Sequence, residues 1–153
     1  RKYNTEVDII PLKLDELIKK GIYSREKDPL ASTEFTYSRF LVPFLNKFEG
    51  TALFCDSDFL WQTDIANILN YYDQDCKKLT PEVINTQSPK YLHRMNWTID
   101  KKIGSIPLEY NWLEGDYGSI IDPKAIHFTN GGPWHSTWNG DYREDWINQY
   151  QEL

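Results

Sequence analysis

The chain has 153 residues, 40% of them hydrophobic and 15% aromatic, which predicts one folded domain and excludes a disordered chain. The net charge of −6 argues against a nucleic-acid groove, because phosphate binding needs clustered Lys and Arg. No apolar run is long enough to span a bilayer and no signal peptide is apparent, so we expect a soluble, cytoplasmic protein.

The first part of the chain is predicted to alternate between short strands and helices. Residues 6–11 form a β-rich run, and residues 14–20 place apolar side chains at helical spacing before a stop at Gly21. A polar loop over residues 23–32 leads into a helix from residue 32 to about residue 48.

A buried strand and a second amphipathic helix follow. Pro43 is expected to kink or divide the helix before them. The apolar run at residues 51–55 has the length of a strand buried on both faces. Residues 63–73 then show helical spacing, with Thr63 or Asp64 as the cap.

The rest of the chain carries weaker signals. We expect a short helix at residues 81–85, a strand at 125–129 and a closing helix at 142–153. In the closing helix, Trp146, Ile147 and Tyr150 are predicted to face inward. Cys55 and Cys76 give neither a disulfide framework nor a metal-binding spacing, and Cys55 is predicted to be a buried thiol.

Two aspartates, Asp56 and Asp58, follow the predicted strand at 51–55 with one residue between them. Residues i and i+2 of a strand share a face, so the two carboxylates would repel each other. A divalent cation removes that repulsion, and oxygen ligands suit Mg²⁺ or Mn²⁺. Asp-x-Asp is equally typical of turns and caps, and that alternative stays open here.

A second polar group surrounds the glycine pair in "HFTNGGPWH", residues 127–135. His127 ends the predicted strand, and the turn at Gly131 and Gly132 can bring backbone N–H groups close to an anion. An imidazole in an oxygen-rich site shifts the preference from Mg²⁺ toward Mn²⁺. A lone histidine is more often a structural residue than a metal ligand.

Three sequence blocks occur in a characteristic order: "ASTEFTYSRFLVPFL" (31–45), "ALFCDSDFLW" (52–61) and "HFTNGGPW" (127–134). Together they resemble the GT-A glycosyltransferases. The order of the blocks is similar to that in the glycogenin-like, galactosyltransferase-type enzymes (family 8-like) and in uncharacterised bacterial and viral glycosyltransferases. The resemblance implies an α/β fold, namely a Rossmann-like domain that binds a nucleotide sugar on a mostly parallel central sheet flanked by helices.

The resemblance also implies roles for individual residues. Asp58 matches a direct metal ligand, Asp56 reaches toward ribose and metal, and His127 completes the metal site. Arg39 matches an arginine that lies near the donor. The donor-binding set implied by the resemblance is Arg39, Asp56, Ser57, Asp58, Gly131, Gly132 and Trp134.

The chain departs from the family pattern in two respects. Gly132 stands where a lysine would touch the diphosphate, which leaves backbone N–H groups or Lys124 as substitutes. The chain also starts after the strand and helix that hold the nucleotide base, and a segment near residues 73–78 looks shortened. We therefore expect residues 1–153 to form a single glycosyltransferase domain that lacks those two parts.

The implied reaction is metal-dependent transfer of a sugar from a nucleotide sugar, with UDP-sugar as the leading donor, to a hydroxyl of a glycan or glycoconjugate acceptor. Mn²⁺ or Mg²⁺ would stabilise the leaving diphosphate. Asp58 and Asp100 are the predicted catalytic residues, with Glu114 and Asp116 as further candidates for a base. Three tryptophans are expected either to line the binding site of the acceptor sugar or to pack in the core: Trp112, Trp134 and Trp138.

Two other classes of protein compete with the transferase. A non-catalytic carbohydrate-binding module would use a divalent metal such as Ca²⁺ in the acidic site, but such modules are usually all-β. A glycoside hydrolase needs two carboxylates roughly 5 to 9 Å apart on either side of the scissile bond. Asp56 and Asp58 are too close in sequence to flank that bond, so nucleotide-dependent binding separates the transferase from both.

Overall fold

A computed structural model describes residues 6–71, 78–117 and 122–152. The chain divides into two compact units, each described by itself below. Within the described residues, the helical unit comprises residues 9–54 and 78–104, and the sheet unit comprises residues 6–8, 55–71, 105–117 and 122–152. No helix in these ranges has both the length and the apolar character needed to cross a bilayer.

The helical unit opens with helix α1, Leu14–Lys19, as its apolar spacing predicts. The helix ends at Gly21, whose φ of +68° lies in the left-handed region, and the N–H of Ile22 donates to the carbonyl of Leu17. Leu17 is the buried residue of this helix. Residues 23–32 contain no helix or strand, which confirms the predicted loop.

The predicted helix over residues 32–48 is divided into three short pieces. These pieces are α2 (Phe35–Ser38), a 3₁₀ turn (Arg39–Leu41) and α3 (Val42–Leu45), with Pro43 in the first turn of α3. Proline has no N–H to donate, so the chain restarts its helical hydrogen bonding at that point. The last piece stops before Lys47 and Phe48, which both have φ of +56°.

Helices α4 (Pro81–Thr86) and α5 (Pro89–His93) complete the core of this unit. The side chains of Thr80 and Ser88 cap them by accepting from the N–H of Val83 and Tyr91. The first helix was predicted and the second was not. Their fully buried residues are Ile84 and Leu92, which pack with Leu17, Tyr23, Tyr37, Leu41 and Leu79.

The sheet unit is built on three short strands, β1 (Phe59–Trp61), β2 (Trp112–Leu113) and β3 (Ala125–His127). Strand β3 lies in the middle, antiparallel to β1 and parallel to β2. Beside this sheet the unit contains helix α6 (Arg143–Gln151) and 3₁₀ segments at Ile65–Tyr71 and Leu108–Asn111. Its buried core consists of Leu60, Trp112, Ile126 and Phe128, with Trp138, Tyr142 and Trp146 packed against them.

The chain is therefore a mixed α and β protein, as expected, but two strand predictions are wrong. Residues 6–11 form no strand, because Ile9 and Ile10 point into solvent with 66% and 83% of their surface exposed. Residues 51–55 form no strand either, and Leu53 is 44% exposed. Apolar composition suggested burial at both places, but neither run pairs in the sheet.

The order of strand, acidic turn and helix is corrected as well. The strand in this region is β1, which begins directly after Asp58 because Phe59 pairs with His127. The aspartates thus precede a strand instead of following one. The described sheet is mixed, with one antiparallel and one parallel pairing, and so the expectation of a mostly parallel sheet is wrong for these strands.

Smaller differences concern helix type and length. The predicted helix at 63–73 is a 3₁₀ segment, Ile65–Tyr71, in which Asp64 accepts from the N–H of Ala66 at 2.8 Å. Strand β3 ends at His127, and Thr129 instead forms an isolated bridge with Gly131. Tyr150 of α6 is 63% exposed instead of facing inward. The segment that was expected to be shortened, near residues 73–78, lies almost wholly outside the described residues.

Candidate metal centre

Asp58 is fixed against the central strand by its backbone. It lies in the turn that leads into β1, and its carbonyl oxygen accepts from the N–H of Phe128 at 3.0 Å. The next residue, Phe59, is the register partner of His127. The acidic turn is therefore placed beside the carboxyl end of β3 by strand pairing.

His127 is the last residue of β3, and its imidazole faces the acidic turn. The ring stacks on the ring of Phe59, with centroids 4.1 Å apart and planes 25° from parallel. Its Nε2 lies 3.4 Å from Oδ1 of Asp58. The two side chains are largely shielded from solvent, with 18% of His127 and 31% of Asp58 exposed.

The other ring nitrogen of His127 contacts Asn111, a residue that the sequence reasoning missed. Nδ1 lies 3.0 Å from the amide oxygen of Asn111. With an amide oxygen as the partner, which only accepts, this contact is a hydrogen bond when Nδ1 carries the proton. Asn111 belongs to no motif, so the sequence offered no signal for this contact.

The contact between Nε2 and Oδ1 is favourable only when a proton or a cation lies between the two atoms. Oδ1 of Asp58 is buried, and no hydrogen bond from a described residue reaches it. A neutral imidazole protonated on Nδ1 would place its Nε2 lone pair against the carboxylate, which is repulsive. The contact is attractive only with a proton or a metal cation at Nε2, so the buried oxygen is suited to ligate a cation.

Asp56 completes a group of three ligands. One carboxylate oxygen each from Asp56 and Asp58 and one ring nitrogen of His127 all lie within 4.8 Å of one another. Atoms that share one divalent ion lie about 3 to 4 Å apart, so three side-chain atoms within 4.8 Å of one another could hold such an ion. Two carboxylates with one imidazole are a donor set that suits Mn²⁺.

Cys55 precedes this cluster in sequence and is a neutral thiol. Burial raises its pKa from 9.0 to about 11, a hydrogen bond with Trp61 opposes the shift, and the charges of Asp56 and Asp58 add to it. Its Sγ is not among the ligand atoms of described residues that converge in this group.

The glycine pair after β3 forms a tight turn under an aromatic ring. Gly131 has φ of +93°, a conformation that L side chains rarely adopt. Gly132 is buried, and a Cβ there would overlap the ring of Trp134. Trp134 packs edge-on against Phe128, with ring centroids 6.0 Å apart, and keeps 43% of its surface exposed.

Arg39 and Asp100, two further predicted site residues, belong to the helical unit. Nε of Arg39 donates to the carbonyl of Phe35 at 3.0 Å, and its guanidinium lies over the ring of Phe54 at 5.0 Å. Asp100 begins a 3₁₀ turn, Asp100–Lys102, and is exposed. The roles predicted for these two residues remain predictions.

The remaining candidates lie in the sheet unit with structural contacts of their own. Glu114 is buried and accepts from the N–H of Asp141 at 3.0 Å, and Asp116 and Ser57 are exposed. The ammonium of Lys124 pairs with Asp122 at 3.0 Å. Trp112 is a core residue and Trp138 packs against the core, whereas Trp134 remains accessible.

The comparison with known proteins assigns the family. Protein CDI from Arabidopsis thaliana is 33% identical to this chain over 202 residues, an alignment that covers 99% of this chain and 78% of the relative. The chain belongs to the same family as Protein CDI. The alignment is longer than the chain, so the relative has internal residues that lack counterparts here. No family model matches the chain, and no solved structure matches it.

Proposed function

We propose that this protein is a metal-dependent glycosyltransferase of GT-A type, which moves a sugar from a nucleotide sugar to a hydroxyl of a glycan or other acceptor. The observation that carries the proposal is the convergence of Asp56, Asp58 and His127. The Asp-x-Asp, the histidine and the glycine turn are the parts that the resemblance to glycosyltransferases links in one site. UDP-sugar is the donor that this resemblance favours.

The cluster explains how an acidic protein can bind a doubly charged diphosphate. Asp58 and His127 would hold the cation, since Oδ1 of Asp58 is buried without a hydrogen bond and Nε2 of His127 faces it. Asp56 supplies a second carboxylate oxygen. A bound cation would neutralise the negative charge that develops on the leaving nucleoside diphosphate.

The glycine turn is suited to the phosphate groups. The glycines of this turn carry no side chains, so the backbone N–H groups of the turn are the groups that would bind a phosphate. The space that a side chain of Gly132 would need is filled by the ring of Trp134. Lys124 is a weaker candidate for this task because Asp122 already occupies its ammonium.

Activation of the acceptor hydroxyl needs a positioned carboxylate if the transfer inverts the anomeric centre. Asp100 remains our predicted base. Glu114 is less suited, since its Oε1 already accepts from the backbone of Asp141. Asp116 is exposed and is useful as a control residue.

The proposal is tested by calorimetric titration of UDP into the protein with Mn²⁺ and then with excess EDTA. We expect binding that requires Mn²⁺ and that is weakened at least tenfold in Asp58→Asn, because the substitution removes one charged ligand. Asp116→Asn changes an exposed acid of the same unit and should bind as the wild type does.

If the folded protein fails to bind UDP in the presence of Mn²⁺, the proposal that UDP-sugar is the donor is wrong. Binding of free sugars with Ca²⁺ and without any nucleotide would instead favour the non-catalytic carbohydrate-binding module.

A further inference from the structure

We infer that Asn111 is the positioning residue of the metal centre: it holds His127 as the Nδ1-protonated imidazole, so that the Nε2 lone pair is directed at the cation. The inference rests on the proposed metal site and adds to it a residue that does not touch the cation. The observation behind it is the 3.0 Å contact between Nδ1 of His127 and the amide oxygen of Asn111.

The backbone of Asn111 is held on both sides. It ends the 3₁₀ segment Leu108–Asn111, within which the carbonyl of Glu109 accepts from the N–H of Lys124 at 2.7 Å. The next residues form β2, which pairs with β3 so that Leu113 lies opposite His127. Asn111 directly precedes this strand, and its amide oxygen lies 3.0 Å from Nδ1 of His127.

The imidazole is thus constrained by two different neighbours. Phe59 stacks on the ring and sets its plane. Asn111 contacts Nδ1 and sets which nitrogen faces the acidic turn. With Nδ1–H donating to Asn111, only Nε2 remains to ligate, and it is the atom that lies 3.4 Å from Asp58.

The chemistry of metal-bound histidine indicates how much metal affinity the contact with Asn111 should contribute. A ligating histidine nearly always donates its other N–H to a carboxylate, carbonyl or water, and loss of that partner weakens metal binding about 10- to 100-fold. Asn111 serves this purpose through a neutral amide oxygen. An aspartate at this position would keep the acceptor, whereas a leucine of similar size would remove it.

The first test is titration of Mn²⁺ alone into the full chain, for wild type, Asn111→Leu and Asn111→Asp. We expect Asn111→Leu to bind about 10- to 100-fold more weakly and Asn111→Asp to bind at least as tightly as the wild type. Asn148→Leu, on the exposed side of α6, makes the same chemical change away from the three ligands and should not alter binding. Thermal unfolding of each variant checks that it is folded.

The second test reads the proton position without any metal. Because the carboxylate of Asp58 itself favours a proton on Nε2, the spectra are recorded in an Asp58→Asn background. In ¹⁵N spectra of this metal-free variant at pH 9, Nδ1 of His127 should be the protonated nitrogen, and adding Asn111→Leu should remove that preference. A purely structural role for Asn111 would leave this signal unchanged.

The outcomes separate this inference from the proposed function. Wild-type protein that binds Mn²⁺ no better than Asn111→Leu overturns the role of Asn111, as does a ring protonated on Nε2 in the metal-free Asp58→Asn variant. Wild-type protein that binds no Mn²⁺ at all overturns the metal site, and the nitrogen spectra still decide whether Asn111 orients the ring.

Discussion

Nε2 of His127 lies 3.4 Å from Oδ1 of Asp58, and that oxygen is buried without a hydrogen bond from the described residues. The two side chains lie at the same end of one antiparallel strand pairing, because Asp58 directly precedes β1 and His127, the register partner of Phe59, ends β3. The sheet therefore brings together a carboxylate and an imidazole whose contact is favourable only with a proton or a cation between the two atoms.

Mn²⁺ should stabilise the folded protein. A ligand that binds only the folded state at 100 times its Kd adds about 2.7 kcal/mol to the free energy of unfolding. For a chain of this length the Tm should rise by about 5 to 10 °C. Thermal unfolding followed by circular dichroism, with Mn²⁺ and with EDTA, measures the shift.

Asp58→Asn is the matched variant for that experiment, and it should lose most of the Mn²⁺-dependent rise in Tm. Asp116→Asn should keep the rise. An equal rise in wild type and Asp58→Asn would show that Mn²⁺ acts elsewhere on the protein.

The cluster was predictable from sequence only in part. Asp-x-Asp and the histidine before a glycine turn suggested the metal ligands, and the structure brings Asp56, Asp58 and His127 together. Asn111 carries no motif, and its contact with His127 arises from the parallel pairing of β2 with β3. Pairing between distant segments is not encoded in local patterns, so this contact needed the structure.

The fold shows the same division between local and distant signals. The helices that were predicted well have strong local signals, such as the stop at Gly21 and the proline at the start of α4. The strand at residues 51–55 was predicted from apolar content alone. Sheet pairing instead uses Phe59–Trp61, because these residues can pair with β3.

Gly132→Ala should damage the turn after β3. The new Cβ would overlap the ring of Trp134, which must shift from its packing against Phe128. We expect a loss of about 1 to 3 kcal/mol in the free energy of unfolding. Urea denaturation measures the loss, and titration of UDP with Mn²⁺ should show weaker binding in the folded variant.

Gly115→Ala is the control for that prediction. Gly115, unlike Gly132, has a positive φ of +83°, and a Cβ there would meet no atom within 4 Å. It should show only the backbone cost of about 1 to 2 kcal/mol and should keep wild-type affinity for UDP. Equal loss of UDP binding in both variants would contradict a specific role for the turn at Gly132.

Cys55 should be unreactive near neutral pH. Its folded pKa is raised from 9.0 to about 11, mainly because burial disfavours the thiolate. The folded state then holds this proton more tightly than the unfolded state. The resulting stability is fully present below pH 9 and is lost as the pH rises through 11.

Iodoacetamide labelling in a Cys76→Ser background isolates the Cys55 thiol. The rate should stay low at pH 8 and rise toward pH 11, whereas the protein unfolded in urea should react with an ordinary thiol profile. Fast labelling of the folded protein at pH 8 would contradict the burial of this thiol.

Pulsed electron paramagnetic resonance of bound Mn²⁺ shows whether His127 binds a divalent cation together with Asp56 and Asp58. A ligating imidazole produces ¹⁴N modulation of the Mn²⁺ signal. We predict that this modulation is present in the wild type and in His135→Gln, an exposed histidine of the same unit, and absent in His127→Gln. Modulation that persists in His127→Gln, or that is missing from the wild type, would contradict the account.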